Sequence, residues 1–87
     1  MAEDTVDLAV IHNIHDPEEW KRALAVDQEF PSGFTLRSFV EAADGDRALC
    51  LWDAPSQVEL QEQLDRTFGH AAVNDVFPVQ VNFFEGT

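Results

Sequence analysis

Cysteine is nearly absent from this chain: Cys50 stands alone among 87 residues, so no internal disulfide can form, and a free thiol suits a reducing compartment. Basic residues are scarce as well. Five Lys and Arg, with Lys21 the single lysine, face seventeen Asp and Glu, for a net charge of −12. A field of that sign repels phosphate backbones and anionic headgroups, so neither nucleic acid nor a membrane surface is an expected partner. No apolar run approaches the roughly 18 residues needed to span a bilayer. The start Met1-Ala2-Glu3-Asp4 also lacks the basic residues and apolar stretch of a signal peptide. The expected location is the cytoplasm. Repeats, low-complexity stretches and linkers are missing too, and a chain this short buries only roughly 60 to 65% of its unfolded surface, which reads as one domain over residues 1–87.

Apolar residues are plentiful by contrast. They make up 45% of the chain, with seven Phe and two Trp, enough for a packed interior. The acidic residues are dispersed and not gathered in a tail, as in the surfaces of halophilic proteins, or as in an ordinary acidic protein with a cationic partner. Dispersed carboxylates hydrate a surface at high ionic strength and repel one another when salt is removed.

Punctuation along the chain divides it into strand, helix, hairpin, helix, strand. Val6 to Ile14 alternates, with Leu8, Val10, His12 and Ile14 on one face. Asp16-Pro17-Glu18-Glu19 opens a helix: Asp16 caps, Pro17 suits the first helical position, and Glu19 gives a capping-box spacing. Trp20, Ala23, Leu24, Val26 and Phe30 form its apolar arc, with Glu19 and Asp27 intruding, and Pro31-Ser32-Gly33 ends it. Phe34 to Ala43 and Arg47 to Asp53 flank Asp44-Gly45-Asp46 as a hairpin. Ser56 caps a second helix, with Glu59 three residues on and Leu60, Leu64, Phe68 and Ala71 as its buried stripe; Gly69 ends it. Val76 to Phe84 alternates as a last strand.

The order βαββαβ predicts an α+β, ferredoxin-like fold: a four-stranded antiparallel sheet in the order 4-1-3-2, with two helices on one face. The other face, a mix of apolar and polar side chains, is too large for a monomer to leave bare without cost. A second copy stacked across it gives a homodimer, a dimeric α/β barrel with a cavity between the sheets.

The borderline and soft metal ligands are three His and one Cys. In His12-Asn13-Ile14-His15 the two imidazoles point to opposite faces unless the strand ends before His15, as the Asp16-Pro17 turn allows. Taking the first and third strands as parallel neighbours places His12 and Cys50 at similar heights, with Trp52 near and His70 at the opposite pole, able to join only from a partner chain. Each residue also has a plain structural reading: His12 as a hydrogen-bonded sheet histidine, His15 as part of a solvated turn, Cys50 as a buried inert thiol, and His70 as a cation at a helix C-terminus. Trp20 and Trp52 read as core. No nucleophile triad, glycine-rich phosphate loop or paired Cys motif is recognisable, so no catalytic residue is assigned.

The junction Cys50-Leu51-Trp52-Asp53-Ala54-Pro55-Ser56, the strand Val10-Ile11-His12-Asn13-Ile14-His15 and the pair Gly69-His70 resemble a small family of ferredoxin-like proteins described as nickel-binding or left without assigned function. The likeness extends over roughly residues 6 to 82. It implies a dimeric α/β fold with metal held by His and Cys, carried here by His12, His15, Cys50 and His70. Asn13 stands where the family often has a second adjacent histidine, and the second helix lacks the family's extra one. Neutral imidazole suits Ni²⁺, Zn²⁺ and Cu²⁺ alike.

Two ligand-binding function classes follow, beside a purely structural or regulatory dimer with no ligand. The first is non-enzymatic binding of a divalent transition metal, Ni²⁺ or a similar ion, with the dimer completing coordination. The second is a dimeric α/β-barrel enzyme such as a small monooxygenase acting on an organic ligand in the inter-sheet cavity, with His12, Trp52 and Asp53 lining it.

Overall fold

Alternation of apolar residues from Val6 onward builds the central strand β1 (Val6–Ile14) of a computed structural model that describes residues 4–26 and 29–82. It is followed by α1 (Pro17–Ala25), β2 (Thr35–Glu41), β3 (Arg47–Ala54), α2 (Gln57–Phe68) and β4 (Ala72–Pro78). The strands form one sheet in the order β2-β3-β1-β4, every neighbouring pair antiparallel. This is the expected ferredoxin-like α+β topology. Among the described residues no helix is long and apolar enough to cross a membrane.

Both helices start as their caps dictate. Asp16 Oδ1 accepts from the Glu19 amide at 3.2 Å with Pro17 next in line, and Ser56 Oγ accepts from the Glu59 amide at 3.1 Å. Each contact satisfies an amide that the first turn leaves without a partner. In the hairpin turn, Gly45 takes φ +81°, a conformation that carries a steric cost for residues with a Cβ.

One face of the sheet packs on the helices. Leu8, Val10, His12 and Ile14 of β1, with Ala48, Cys50, Trp52 and Ala54 of β3, are buried against Leu60, Leu64, Phe68 and Ala71 and against Trp20 and Ala23. Side chains of this size contribute roughly 1.5 to 3 kcal/mol each on full burial. Ala9 and Ile11 point the other way, opposite Leu51 and Leu49 on one side and Phe77 and Asp75 on the other.

Three sequence expectations require correction. β1 and β3 run antiparallel, not parallel, because β3 returns from a tight hairpin with β2 and inserts between β2 and β1. α1 stops at Ala25, with Val26 already in extended backbone, so Val26 is exposed and Phe30 reaches the core from the following loop. β4 starts four residues earlier than Val76 and ends at Pro78; its inward set is Ala72, Asn74 and Val76. Asp27, expected on the α1 arc, and Phe83 and Phe84, expected in the last strand, lie outside the described residues.

Candidate functional site

The early end of α1 leaves the helix side of β2 without a full cover. Leu36 and Phe39, which point to that side opposite Trp52 and Cys50, stay 49% and 36% exposed. Phe30 and Phe34, in contact with each other at a ring-centroid distance of 6.1 Å, close part of the gap. Behind them lies a cavity of about 370 Å³ between the sheet and the helices, walled by Leu24, Phe30, Phe34, Leu36, Phe39, Leu64 and Phe68, with His12, Cys50 and Trp52 as its remaining lining. Its walls are mostly carbon. That is the composition of a pocket for a small organic molecule, in which a few polar groups set orientation.

The polar part is built from three strands. In the β1–β3 register His12 sits opposite Ala48 and Cys50 opposite Val10, so His12 and Cys50 are diagonal neighbours on the helix face. His12 Nε2 lies 3.2 Å from Cys50 Sγ. On β4, Asn74 faces His12, and its Oδ1 is 2.6 Å from His12 Nδ1. The amide of Asn74 is oriented by donation from Nδ2 to the Leu64 carbonyl at 3.3 Å and to Asp65 Oδ1 at 3.1 Å, which turns its oxygen toward the imidazole. Nδ1–H is therefore the donor to Asn74, and Nε2 keeps a lone pair for the Cys50 thiol. Trp20 and Phe68 hold the ring between them at centroid distances of 5.0 and 6.0 Å.

Burial dominates the electrostatics. His12 is 1% exposed, and desolvation lowers its pKa although the Asn74 bond opposes the shift, so the ring is neutral at neutral pH. Burial pushes the Cys50 thiol up to about 12. The Trp52 indole N–H is near enough to oppose that rise, yet it makes no hydrogen bond of proper geometry and is a buried donor without a partner. Such a group is costly in an apolar interior unless something supplies an acceptor.

The four residues considered as metal ligands thus divide. His12 and Cys50 meet, and both face the helices, so a second sheet stacked on the open face could not reach them. His15 is exposed, and its amide donates to the Ala71 carbonyl at the end of β1. His70 is exposed at the end of α2, with Nε2 3.6 Å from Glu19 Oε2. Among the described residues no three His, Cys, Asp or Glu side chains cluster as a metal site. The donor set that one chain brings together is a single imidazole and a single thiol.

Sequence reasoning missed Asn74 altogether and found no partner for Asp53. Asp53, at the end of β3 on the open face, accepts from Arg37 Nε at 2.6 Å and also pairs with Arg37 Nη2. Hydrogen bonding from Arg37 lowers the Asp53 pKa, while a hydrogen bond in which the Asp53 carboxylate accepts the proton of Asp7 raises the Asp7 pKa. No family model, curated protein or solved structure matches the chain.

Proposed function

We propose that this protein binds a small, largely apolar organic molecule in the cavity between its sheet and its helices. The observation that carries this reading is the coincidence of an aromatic-walled space with buried polar groups in its lining, the neutral imidazole of His12 and the Cys50 thiol near the unpartnered Trp52 indole N–H. A ligand with an apolar body and one acceptor oxygen satisfies both features. The sequence-level expectation of an organic ligand is kept, but its place moves from an inter-sheet cavity to an intramolecular one.

Binding is read by titrating 4-phenyl-2-butanone, a small aryl ketone, into the protein while following tryptophan fluorescence, to which Trp20 and Trp52 both contribute. Saturable quenching is the expected result. Leu36→Asp, at a half-exposed rim position that tolerates a charge, should weaken it at least about tenfold; equal affinity in the variant would remove the cavity from the site. Calorimetric titration of Ni²⁺, Zn²⁺ and Cu²⁺ into the same metal-stripped protein tests the rival metal reading, which whole-number binding at micromolar or tighter affinity would favour.

The open face of the sheet supports a second element of the reading, pairing with another copy of the chain. Ala9, Ile11, Leu49, Leu51, Val40, Val73 and Phe77 run across all four strands, and several are well exposed. On this face lie Arg37 and Arg47, two of the five basic residues, against Asp7, Asp53 and Asp75, three of the seventeen acidic ones. It is where two strongly acidic copies repel least. A dimer at molar salt that Leu49→Arg converts to monomer is the expected outcome of light scattering; a wild-type monomer at all concentrations would refute it.

A further inference from the structure

Three side chains at the floor of the cavity stand in the order nucleophile, base, orienter: Cys50 Sγ, His12 Nε2 at 3.2 Å, and Asn74 Oδ1 at 2.6 Å from the far side of the imidazole. Each is held by a different strand, and Asn74 is locked in turn by α2 through the Leu64 carbonyl and Asp65. A thiol whose proton points at a fixed, neutral imidazole is the arrangement on which nucleophilic catalysis by cysteine depends. Cys50 and Trp52 are also among the residues that line the cavity, which puts the thiol at its wall.

We infer that Cys50 is a nucleophile toward apolar α,β-unsaturated carbonyl compounds, with His12 moving its proton and Asn74 positioning His12. This rests on the reading of the cavity as an organic-ligand site. In the step, the Cys50 S–H proton passes to His12 Nε2 as sulfur bonds to the β-carbon. The C=C pair shifts toward the carbonyl oxygen, leaving an enolate. His12 then returns the proton to the α-carbon. The sum is addition of S–H across the double bond, with no oxidant and no leaving group.

The surroundings decide how the proton moves. The charged groups nearest the trio are acidic: Glu41 on β2, which accepts from the Trp20 indole and raises the Cys50 pKa, and Asp65 on α2, bonded to Asn74. Neither favours a resident thiolate. The thiol therefore attacks as S–H, with its proton passing to His12 in the same step, a contribution of roughly 10² to 10⁴ in rate for general-base catalysis. An uncoupled thiol with a pKa of about 12 would instead react only through its thiolate, tenfold faster for each pH unit up to that value.

The test uses the full chain in molar salt with 4-phenyl-3-buten-2-one as electrophile, its saturated analogue 4-phenyl-2-butanone as a binding-only probe, and acrylamide as a polar electrophile. Intact mass counts adducts on the sole cysteine. The expected result is a single adduct with the aryl enone, a rate flat with pH above the His12 titration, and a fall of at least about tenfold at pH 7 in His12→Gln with return of the tenfold climb per pH unit. If the saturated ketone binds but the wild-type rate climbs tenfold per unit throughout, the chemistry is overturned and the cavity reading stands. If the saturated ketone does not bind and the enone is no faster than acrylamide, both fall. The wild-type profile suffices should His12→Gln fail to fold.

Discussion

Replacing His12 and Asn74 by Leu, singly and together, tests whether the buried trio is one coupled unit. The bond between His12 Nδ1 and Asn74 Oδ1 is 2.6 Å long and both residues are buried. His12→Leu strands the Asn74 oxygen, and Asn74→Leu strands the Nδ1–H, since the other partners of Asn74 are a helix carbonyl and the Asp65 carboxylate, which can turn to water. A buried group left without its partner costs roughly 1 to 3 kcal/mol, whereas replacing both partners by apolar groups is nearly neutral. Each single variant should therefore lose about 1 to 3 kcal/mol, and the double should lose no more than either single variant alone. For a domain of this size 1 kcal/mol moves Tm by roughly 4 to 8 °C. Urea and thermal unfolding followed by far-UV circular dichroism at molar salt measures the cycle. Additivity within about 0.5 kcal/mol would refute the coupling and leave the 2.6 Å contact without energetic consequence.

Desolvation lowers the His12 pKa below its usual 6.5, so the unfolded chain takes up a proton that the folded chain refuses. The stability this confers is intact above pH 6.5 and is lost as pH falls toward the folded value, by up to about 1.4 kcal/mol per pH unit. Subtracting the His12→Leu profile cancels the carboxylates, and a difference that stays flat between about pH 7 and 5 would refute the assignment. With −12 net charge, Tm should rise steeply between about 0.1 and 2 M NaCl; no rise would show that carboxylate repulsion is not limiting. Ser56→Ala removes the acceptor for the Glu59 amide and should cost about 1 kcal/mol in urea unfolding, with none lost if water replaces the cap fully.

What was legible in the sequence was local. Asp16-Pro17 and Ser56 with Glu59 announce the helix starts, Asp44-Gly45-Asp46 announces the hairpin, and the alternation through Leu8, Val10, His12 and Ile14 sorts the faces of β1 correctly. Element order then yields the sheet order. What failed needed three-dimensional register. Taking β1 and β3 as parallel gave the wrong strand direction, although it already placed His12 and Cys50 at similar heights, and the antiparallel register makes them diagonal neighbours in contact. The stretch Ala72–Pro78 carries Asn74-Asp75 at its centre, which reads as a turn by composition, although Ala72, Asn74 and Val76 alternate inward. That alternation, set beside His12 in the 4-1-3-2 order, was the available signal for Asn74. Arg37 could not be matched to Asp53 because the register between β2 and β3 shifts at Leu36 and Ser38 around it.

Two departures from economical packing coincide on the helix side of the sheet. A His–Asn–Cys trio occupies positions where apolar residues of similar volume would be about as stable, since a buried neutral hydrogen bond nets only roughly 0.5 to 1.5 kcal/mol. Next to it α1 stops at Ala25, with Leu36 and Phe39 half-covered and a cavity behind them. Either feature alone would pass as an ordinary imperfection of a small core. Together they place oriented polar groups in the wall of an apolar recess, and the places where a sequence breaks the rules of packing without local compensation are those where function is to be sought. The open sheet face lies on the opposite side, so the proposed pairing of two copies and the proposed ligand site do not compete for one surface.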